Sequence, residues 1–489
     1  MSDPTQHVRV AVVGSGFGGL GTAVNLKRAG IDDFVILERA GDLGGTWRDN
    51  TYPGCQCDVP STLYSFSFAP HPDWTRTFPL QSEIWDYLRH VVDRFALSSH
   101  IRYRHEVTAA TWDEPQGLWR VETTGGPFTA QILVLAPGAL SEPANAPLPG
   151  LERFEGKVFH SAAWDHEHDL SGERVAVIGT GASSIQFVPR IQPQVAALQL
   201  YQRTAPWVMP HPDRAVRGWE TALWRAFPRA QHLWRAGVWS AREALVLGLS
   251  MEPRLMSAVE RVAKTHLRAQ VRDPALRAKL LPAFRLGCKR ILISNEYYPA
   301  LAAPNVELIT SDIAAVEPHS IVDVDGIRRD VDTIICATGF RVSAPPWAAR
   351  IRGRGGELLA DVWHPSRSAY LGTTVAGFPN VFMITGPNTG LGHSSMIYMI
   401  ESQIAYVVAA LTALDRLGVQ SADVRPEVQD AYNQELQRRL AGTVWNTGGC
   451  RSWYLDQTGR NTALWPSFTF RFRARTRRFN PADYLLRGA

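Results

Sequence analysis

From Val8 to Val13 the chain is apolar and rich in β-branched residues, as a buried strand requires. The period then changes. After Gly14-Ser15-Gly16-Phe17-Gly18-Gly19, the apolar residues Leu20, Ala23, Val24 and Leu26 recur at helical spacing as far as Gly30. Phe34 to Leu37 returns to a strand pattern and ends at an acid, Glu38. The same succession restarts at Arg174: a strand from Val175 to Ile178, the turn Gly179-Thr180-Gly181-Ala182-Ser183-Ser184, a helix from Ile185 to Ile191, and a strand from Leu198 to Tyr201. Arg203-Thr204 follows it. Two more strand patterns, beginning at Leu133 and Thr333, end in glycine turns at Gly138 and Gly339. Each alone reads as a buried parallel strand. Together they mark seams near 140–155 and 340–370. From about Asp213 to Leu281 the pattern is helical, with Trp219, Trp224, Trp234 and Trp239 at roughly helical intervals and no local motif. Such a stripe usually packs in a core; contact with a membrane or a lipophilic substrate stays open.

Strand, glycine turn, helix, strand and polar residue in one register make a dinucleotide-binding unit, here present twice. The glycines permit a tight turn and let backbone approach a pyrophosphate at the helix N-terminus. Glu38 lies 24 residues after Gly14, and Arg203 lies 24 residues after Gly179. One structural slot therefore carries an acid in the first unit and an arginine in the second. An acid accepts the hydroxyls of a free ribose, whereas an arginine accommodates a 2′-phosphate. The first unit reads as a site for a dinucleotide with a free adenosine ribose, FAD or NAD, and the second as an NADPH site; the alternative for Arg203 is a surface ion pair.

Length and charge narrow this little further. At 489 residues the chain is too long for one core and suggests two or three domains. A net charge of +5 suits binding of anionic phosphates without calling for nucleic acid. Cys55, Cys57, Cys288, Cys336 and Cys450 show no paired spacing, which predicts free thiols and a reducing, cytoplasmic setting, and no metal site. The Met1–Gln6 segment has no signal-peptide character. Met396 to Leu414, interrupted by Glu401, Ser402 and Gln403, reads as too short and polar for a membrane span. The basic stretch Arg471, Arg473, Arg475, Arg477 and Arg478, alternating with Phe470, Phe472 and Ala474, reads as a half-buried strand.

Between the two units lies Phe154-Glu-Gly156-Lys-Val-Phe-His160-Ser-Ala-Ala-Trp164-Asp165. This stretch resembles the fingerprint F-x-G-x-x-x-H-x-x-x-W-[PD] of the Baeyer–Villiger monooxygenases, class B flavoprotein monooxygenases, and the resemblance extends over nearly the whole chain. Gly44-Gly45-Thr46-Trp47, Asp58 and Tyr64 resemble the family's flavin-binding region, with Trp47 and Tyr64 as walls of the flavin pocket. Lys289-Arg290 is similar to the family's Lys-Arg pair, in which the lysine helps hold the 2′-phosphate and the arginine reaches the flavin, held by an aspartate here matched by Asp58. Trp453 matches the tryptophan that shapes the nicotinamide and substrate pocket, and Gly386 to Gly390 opens a helix near Ser394. Phe17, Thr180, Ser183, Thr204, Val107, Ala337 and Thr338 complete the expected cofactor contacts. His160 is a candidate for coupling domain movement to the flavin site, or a packed linker histidine.

The resemblance implies an α/β protein with two Rossmann-like domains for FAD and NADPH and a helical insert in the second. The expected divisions are 1–150 for the first part of the FAD domain and 151–345 for the NADPH domain, whose insert spans about 213–281. Residues 346–489 would complete the FAD domain and form the pocket. The implied reaction uses NADPH and O2 to insert one oxygen beside a ketone carbonyl, giving an ester or lactone through a flavin peroxide. An N- or S-oxygenating flavin monooxygenase is the nearest alternative; Trp164-Asp165 and Lys289-Arg290 speak against it. A disulfide reductase lacks its cysteine pair here, and a flavin-binding sensor would not need the second site. Nothing in the sequence identifies the ketone or the oligomeric state.

Overall fold

The computed structural model describes residues 5–488. The first unit folds as β1 (Gln6–Val13), α1 (Phe17–Arg28) and β2 (Phe34–Leu37), with β1 and β2 parallel and Val13 opposite Leu37. Two short helices follow, α2 (Thr46–Asp49) and α3 (Gln81–Arg94). Next come β3 (Ile101–Arg102), β4 (Val107–Asp113), β5 (Leu118–Thr123) and β6 (Phe128–Leu135). They join an eight-stranded sheet ordered Ile351–Arg352, β4, β5, β6, β1, β2, β3, with Val381–Met383 also paired to β6. The strands of this sheet come from 6–135 and 351–383.

The second sheet has five strands, all parallel, ordered Val306–Ile309, β9 (Ala197–Tyr201), β8 (Arg174–Ile178), Thr333–Cys336 and β7 (Lys157–His160). Its helix α4 (Ser184–Ile191) follows β8. The two sheets repeat one another in detail. Val13 of β1 lies opposite Leu37 on one side and Leu135 on the other, as Ile178 of β8 lies opposite Tyr201 and Cys336. These central strands bury the residues of both faces, hence their continuous apolar sequences.

Between β9 and the 306–309 strand the chain is helical, chiefly α5 (Gly218–Ala226), α6 (Pro228–Glu243), Met256–Gln270 and Pro274–Leu280. Of the four tryptophans, only Trp224 is buried; Trp219 and Trp234 face outward. The basic stretch near the C-terminus is a helix, Thr469–Thr476, and not a strand. Its alternation was misleading because the residues it buries, Thr469, Phe472 and Thr476, recur at helical spacing, while Phe470 remains exposed.

The long helix Met396–Leu417 has a mean hydropathy of 1.5 over an 18-residue window, enough by length and composition to cross a membrane, yet 72% of that window is buried inside the protein. Its polar residues serve the core. Gln403 accepts from the Thr385 amide at 2.9 Å and donates to the Gly372 carbonyl at 2.8 Å, and Glu401 accepts from the Ser67 amide.

Candidate active site

The first glycine turn leaves β1 at Gly14, whose φ of +98° and surroundings exclude a side chain: a Cβ there would sit 2.5 Å from the Ala136 carbonyl oxygen. A Cβ on Gly19 would come within 1.8 Å of the Gly14 carbonyl, so Gly19 lets α1 close on the turn. Gly16 is different. The nearest atoms to a Cβ there are 3.9 Å away, on Gly44 and Gly45, and no side chain caps α1. The N–H groups of the first helical turn are left for an anion. The second turn copies the first: Gly179 has φ +112°, a Cβ would lie 2.5 Å from the Ala337 carbonyl, and Gly181 has nothing within 4 Å.

At the end of β2 the buried Glu38 carboxylate accepts from the Ser15 amide at 3.0 Å, the Ser15 hydroxyl at 2.7 Å, the Ala40 amide at 2.9 Å and Arg48 at 3.0 Å. It thus braces the glycine turn whose ligand it is expected to meet. In the corresponding place of the second unit, Arg203 is exposed, and Lys289 donates to the Thr204 hydroxyl at 2.8 Å. Among the described residues no carboxylate pairs with either cation. Burial, reinforced by repulsion from Arg203, lowers the Lys289 pKa. Two adjacent cations without an acid fit a phosphate dianion.

Both turns line one cavity of about 1480 Å3, larger than the roughly 300–1,000 Å3 of usual small-ligand sites. Its walls include Gly14, Gly16, Phe17, Gly18, Glu38, Gly45, Thr46, Trp47, Asp58, Tyr64 and Val107 from the first region. From the second come Gly179, Thr180, Gly181, Ser183, Arg203, Thr204, Lys289, Arg290, Ala337 and Thr338, and Trp453 lies farther along the chain. Trp47 donates to the Tyr64 hydroxyl at 3.0 Å, with the rings edge to face. Gly19 stays behind the turn, outside the cavity wall.

His160 also stays outside it. Its Nδ1 accepts from the Ala162 amide at 3.0 Å, its buried Nε2 has no partner, and burial lowers its pKa. Trp164 packs edge-on against Phe159 with ring centres 5.2 Å apart, and the fingerprint forms a packed linker. Proton transfer by His160 to a cavity ligand has no geometric support.

In the middle of the wall, Arg290 grips Asp58 through two hydrogen bonds of 2.8 and 2.7 Å and donates a third to the Leu391 carbonyl at 2.9 Å. Burial opposes the guanidinium charge, but Asp58 together with Tyr454 and Cys57 holds the Arg290 pKa above its ordinary value. Each side chain keeps 29% exposure, so the pair is fixed yet open to the cavity. Burial pushes the neighbouring Tyr454 hydroxyl up to about 12, and Arg290 opposes that shift.

Sequence reading overlooked the support beneath this pair. Arg242, on α6, donates to the Asp58 carbonyl at 3.1 Å. The next residue, Glu243, is buried and accepts from the Thr469 amide at 2.8 Å and its hydroxyl at 2.9 Å, with His393 3.1 Å away. These contacts span 150 to 226 residues of sequence, and no local spacing announces them.

The cysteines also require a correction. Cys288 and Cys450 form a disulfide across 162 residues, while Cys55, Cys57 and Cys336 are free and buried. The bond ties the residue before Lys289-Arg290 to the loop carrying Trp453, and it removes the cysteine-based argument for a reducing compartment. Spacing could not reveal it, because tertiary folding alone brings these segments together.

A model of the pyridine nucleotide-disulphide oxidoreductase family matches residues 11–226. Over 98% of this chain and 92% of its own length, a Baeyer–Villiger monooxygenase of Streptomyces coelicolor is 54% identical. The chain belongs to the Baeyer–Villiger monooxygenase family. A member from Pseudomonas aeruginosa is 52% identical over the same shares of the two chains. A steroid monooxygenase solved in its oxidised form with NADP superimposes with a TM-score of 0.87 at 29% identity, covering 99% of this chain and all of that one. The chain is therefore a flavin-dependent monooxygenase with the α/β architecture of that family.

Proposed function

We propose that this enzyme holds FAD on the first glycine turn and NADPH on the second, and uses O2 to convert a ketone into an ester or lactone. The observation that carries this reading is the Asp58–Arg290 pair, an oriented cation in the wall of a cavity shared by both turns. When bound, the two cofactors supply hydride transfer and the activation of O2. The chain supplies the rest. Gly16 and Gly181 leave room for phosphate against their backbones, Glu38 accepts ribose hydroxyls, and Arg203 with Lys289 takes the 2′-phosphate.

Arg290 would stabilise the negative charge that develops on oxygen as the carbonyl is attacked, and Asp58 with the Leu391 carbonyl fixes its guanidinium in the cavity wall. Trp453, about half exposed, lines the same cavity and would shape the pocket for nicotinamide and ketone. Residues 1–150 with 346–489 serve FAD, and 151–345 serve NADPH. A panel of linear, cyclic, aryl and steroidal ketones, scored by ester or lactone produced, tests the reading. NADPH loss alone does not, because uncoupled turnover consumes it. Product from sulfides or amines but from no ketone would overturn it.

A further inference from the structure

The helical hairpin of α5 and α6 presents an outer face that the interior does not use. Trp219 is 59% exposed, Phe227 64%, Leu233 75% and Trp234 52%, with Leu223 beside them on α5. Trp219 and Leu223 are four residues apart on α5 and share one face, and Phe227 stands at the turn between α5 and α6. Single exposed apolar residues need no explanation, but a run of five large ones on one hairpin does.

The charges here are one-sided. Residues 217–243 contain two acids, Glu220 and Glu243, and both are buried, one paired with Arg214 and the other holding Thr469. The exposed charged side chains are Arg217, Arg225 and Arg229, of which Arg225 pairs with Asp73. Arg217 and Arg229 have no acid partner among the described residues.

From these observations we infer that the α5–α6 hairpin docks on an anionic lipid surface. Tryptophan and phenylalanine settle at the boundary between headgroups and acyl chains, and arginines meet the lipid phosphates. A symmetric dimer through this face would bring Arg217 and Arg229 of two copies together without acids between them, which disfavours it. The hairpin also leads to the active site. Trp234 and Arg242 lie on the same helix, eight residues and about 12 Å of helical rise apart, and Arg242 holds the Asp58 carbonyl. A surface-bound enzyme would draw apolar ketones from the bilayer; that corollary rests on the function proposed above, whereas lipid binding does not.

The test is flotation of the FAD-loaded enzyme with vesicles of phosphatidylcholine, with and without phosphatidylglycerol. The expected result is co-flotation with the phosphatidylglycerol vesicles only. Arg217→Gln with Arg229→Gln should weaken partitioning about 25-fold, roughly fivefold for each cation. Trp219→Ser with Trp234→Ser should abolish it while flavin content and turnover of a water-soluble ketone stay unchanged. Failure to float with anionic vesicles overturns the inference, as does equal binding to both compositions. A dimer that Trp219→Ser and Trp234→Ser convert to monomer, without vesicle binding by the original protein, overturns it in favour of a second copy. Vesicle binding without ketone turnover would leave lipid docking standing and sink the proposed function instead.

Discussion

Arg290 is the side chain on which the proposed chemistry depends most. An anionic nucleophile needs a cation that cannot lose its proton, and Asp58 helps to hold the Arg290 pKa above its ordinary value. Arg290→Ala should lower ester formation by about 10²–10³ while FAD stays bound. Coupled product formation at the original rate, with only the NADPH constant raised, would reduce Arg290 to a coenzyme anchor. The Arg203–Lys289 pair makes a prediction with a definite sign. Arg203→Ala should raise the NADPH constant roughly tenfold or more and leave NADH nearly untouched. A 2′-phosphate favours protonated Lys289, so NADPH binding is strongest below the Lys289 pKa and weakens as pH rises through it. Burial and Arg203 place that pKa below the ordinary lysine value. In Arg203→Ala the alkaline loss of NADPH affinity should therefore begin at higher pH, which a pH series of the NADPH constant would show. Glu38→Ala should lower FAD content, since a charge-assisted hydrogen bond contributes roughly 1.5–3 kcal/mol and Ser15 loses its acceptor as well. Unchanged flavin absorbance per chain would refute that role.

Among the elements, the linker and the insert join parts that local sequence keeps separate. The fingerprint from Phe154 to Asp165 leads from one sheet into the other, and β7 within it pairs with the strand that ends at Cys336. A linker of this kind acts by transmitting movement between reduction and oxygenation. His160→Ala should therefore increase the share of NADPH lost without product while retaining FAD; full coupling in the variant would disprove a linker role. The insert was legible as helical, but not as a support for the active site. Glu243→Ala would leave the Thr469 amide and hydroxyl without their acceptor, and the His393 ring without its partner, in the interior, at a cost of about 1–3 kcal/mol. The thermal unfolding midpoint should fall accordingly, and an unchanged midpoint would show that Glu243 does not secure the insert.

Across the whole molecule, sequence by itself settled whatever is built from neighbours along the chain. Each glycine turn, with its preceding strand and following helix, occupies fewer than thirty residues, and backbone sterics at Gly14 and Gly179 leave little choice of residue. The register of Glu38 and Arg203 is equally local, so an acid slot and a cation slot could be distinguished before any fold was known. The Asp58–Arg290 pair spans 232 residues and was reached only through family resemblance. Tertiary structure decided the rest, where partners are distant or patterns ambiguous. It made a helix of the basic stretch at 469–476, because packing of Phe472 and Thr476 outweighed an alternating pattern. It turned Met396–Leu417 into a core helix, because Gln403 and Glu401 meet backbone groups from other segments. It joined Cys288 to Cys450 and set Arg242 under Asp58, since contacts between remote segments depend on how the sheets and the insert pack.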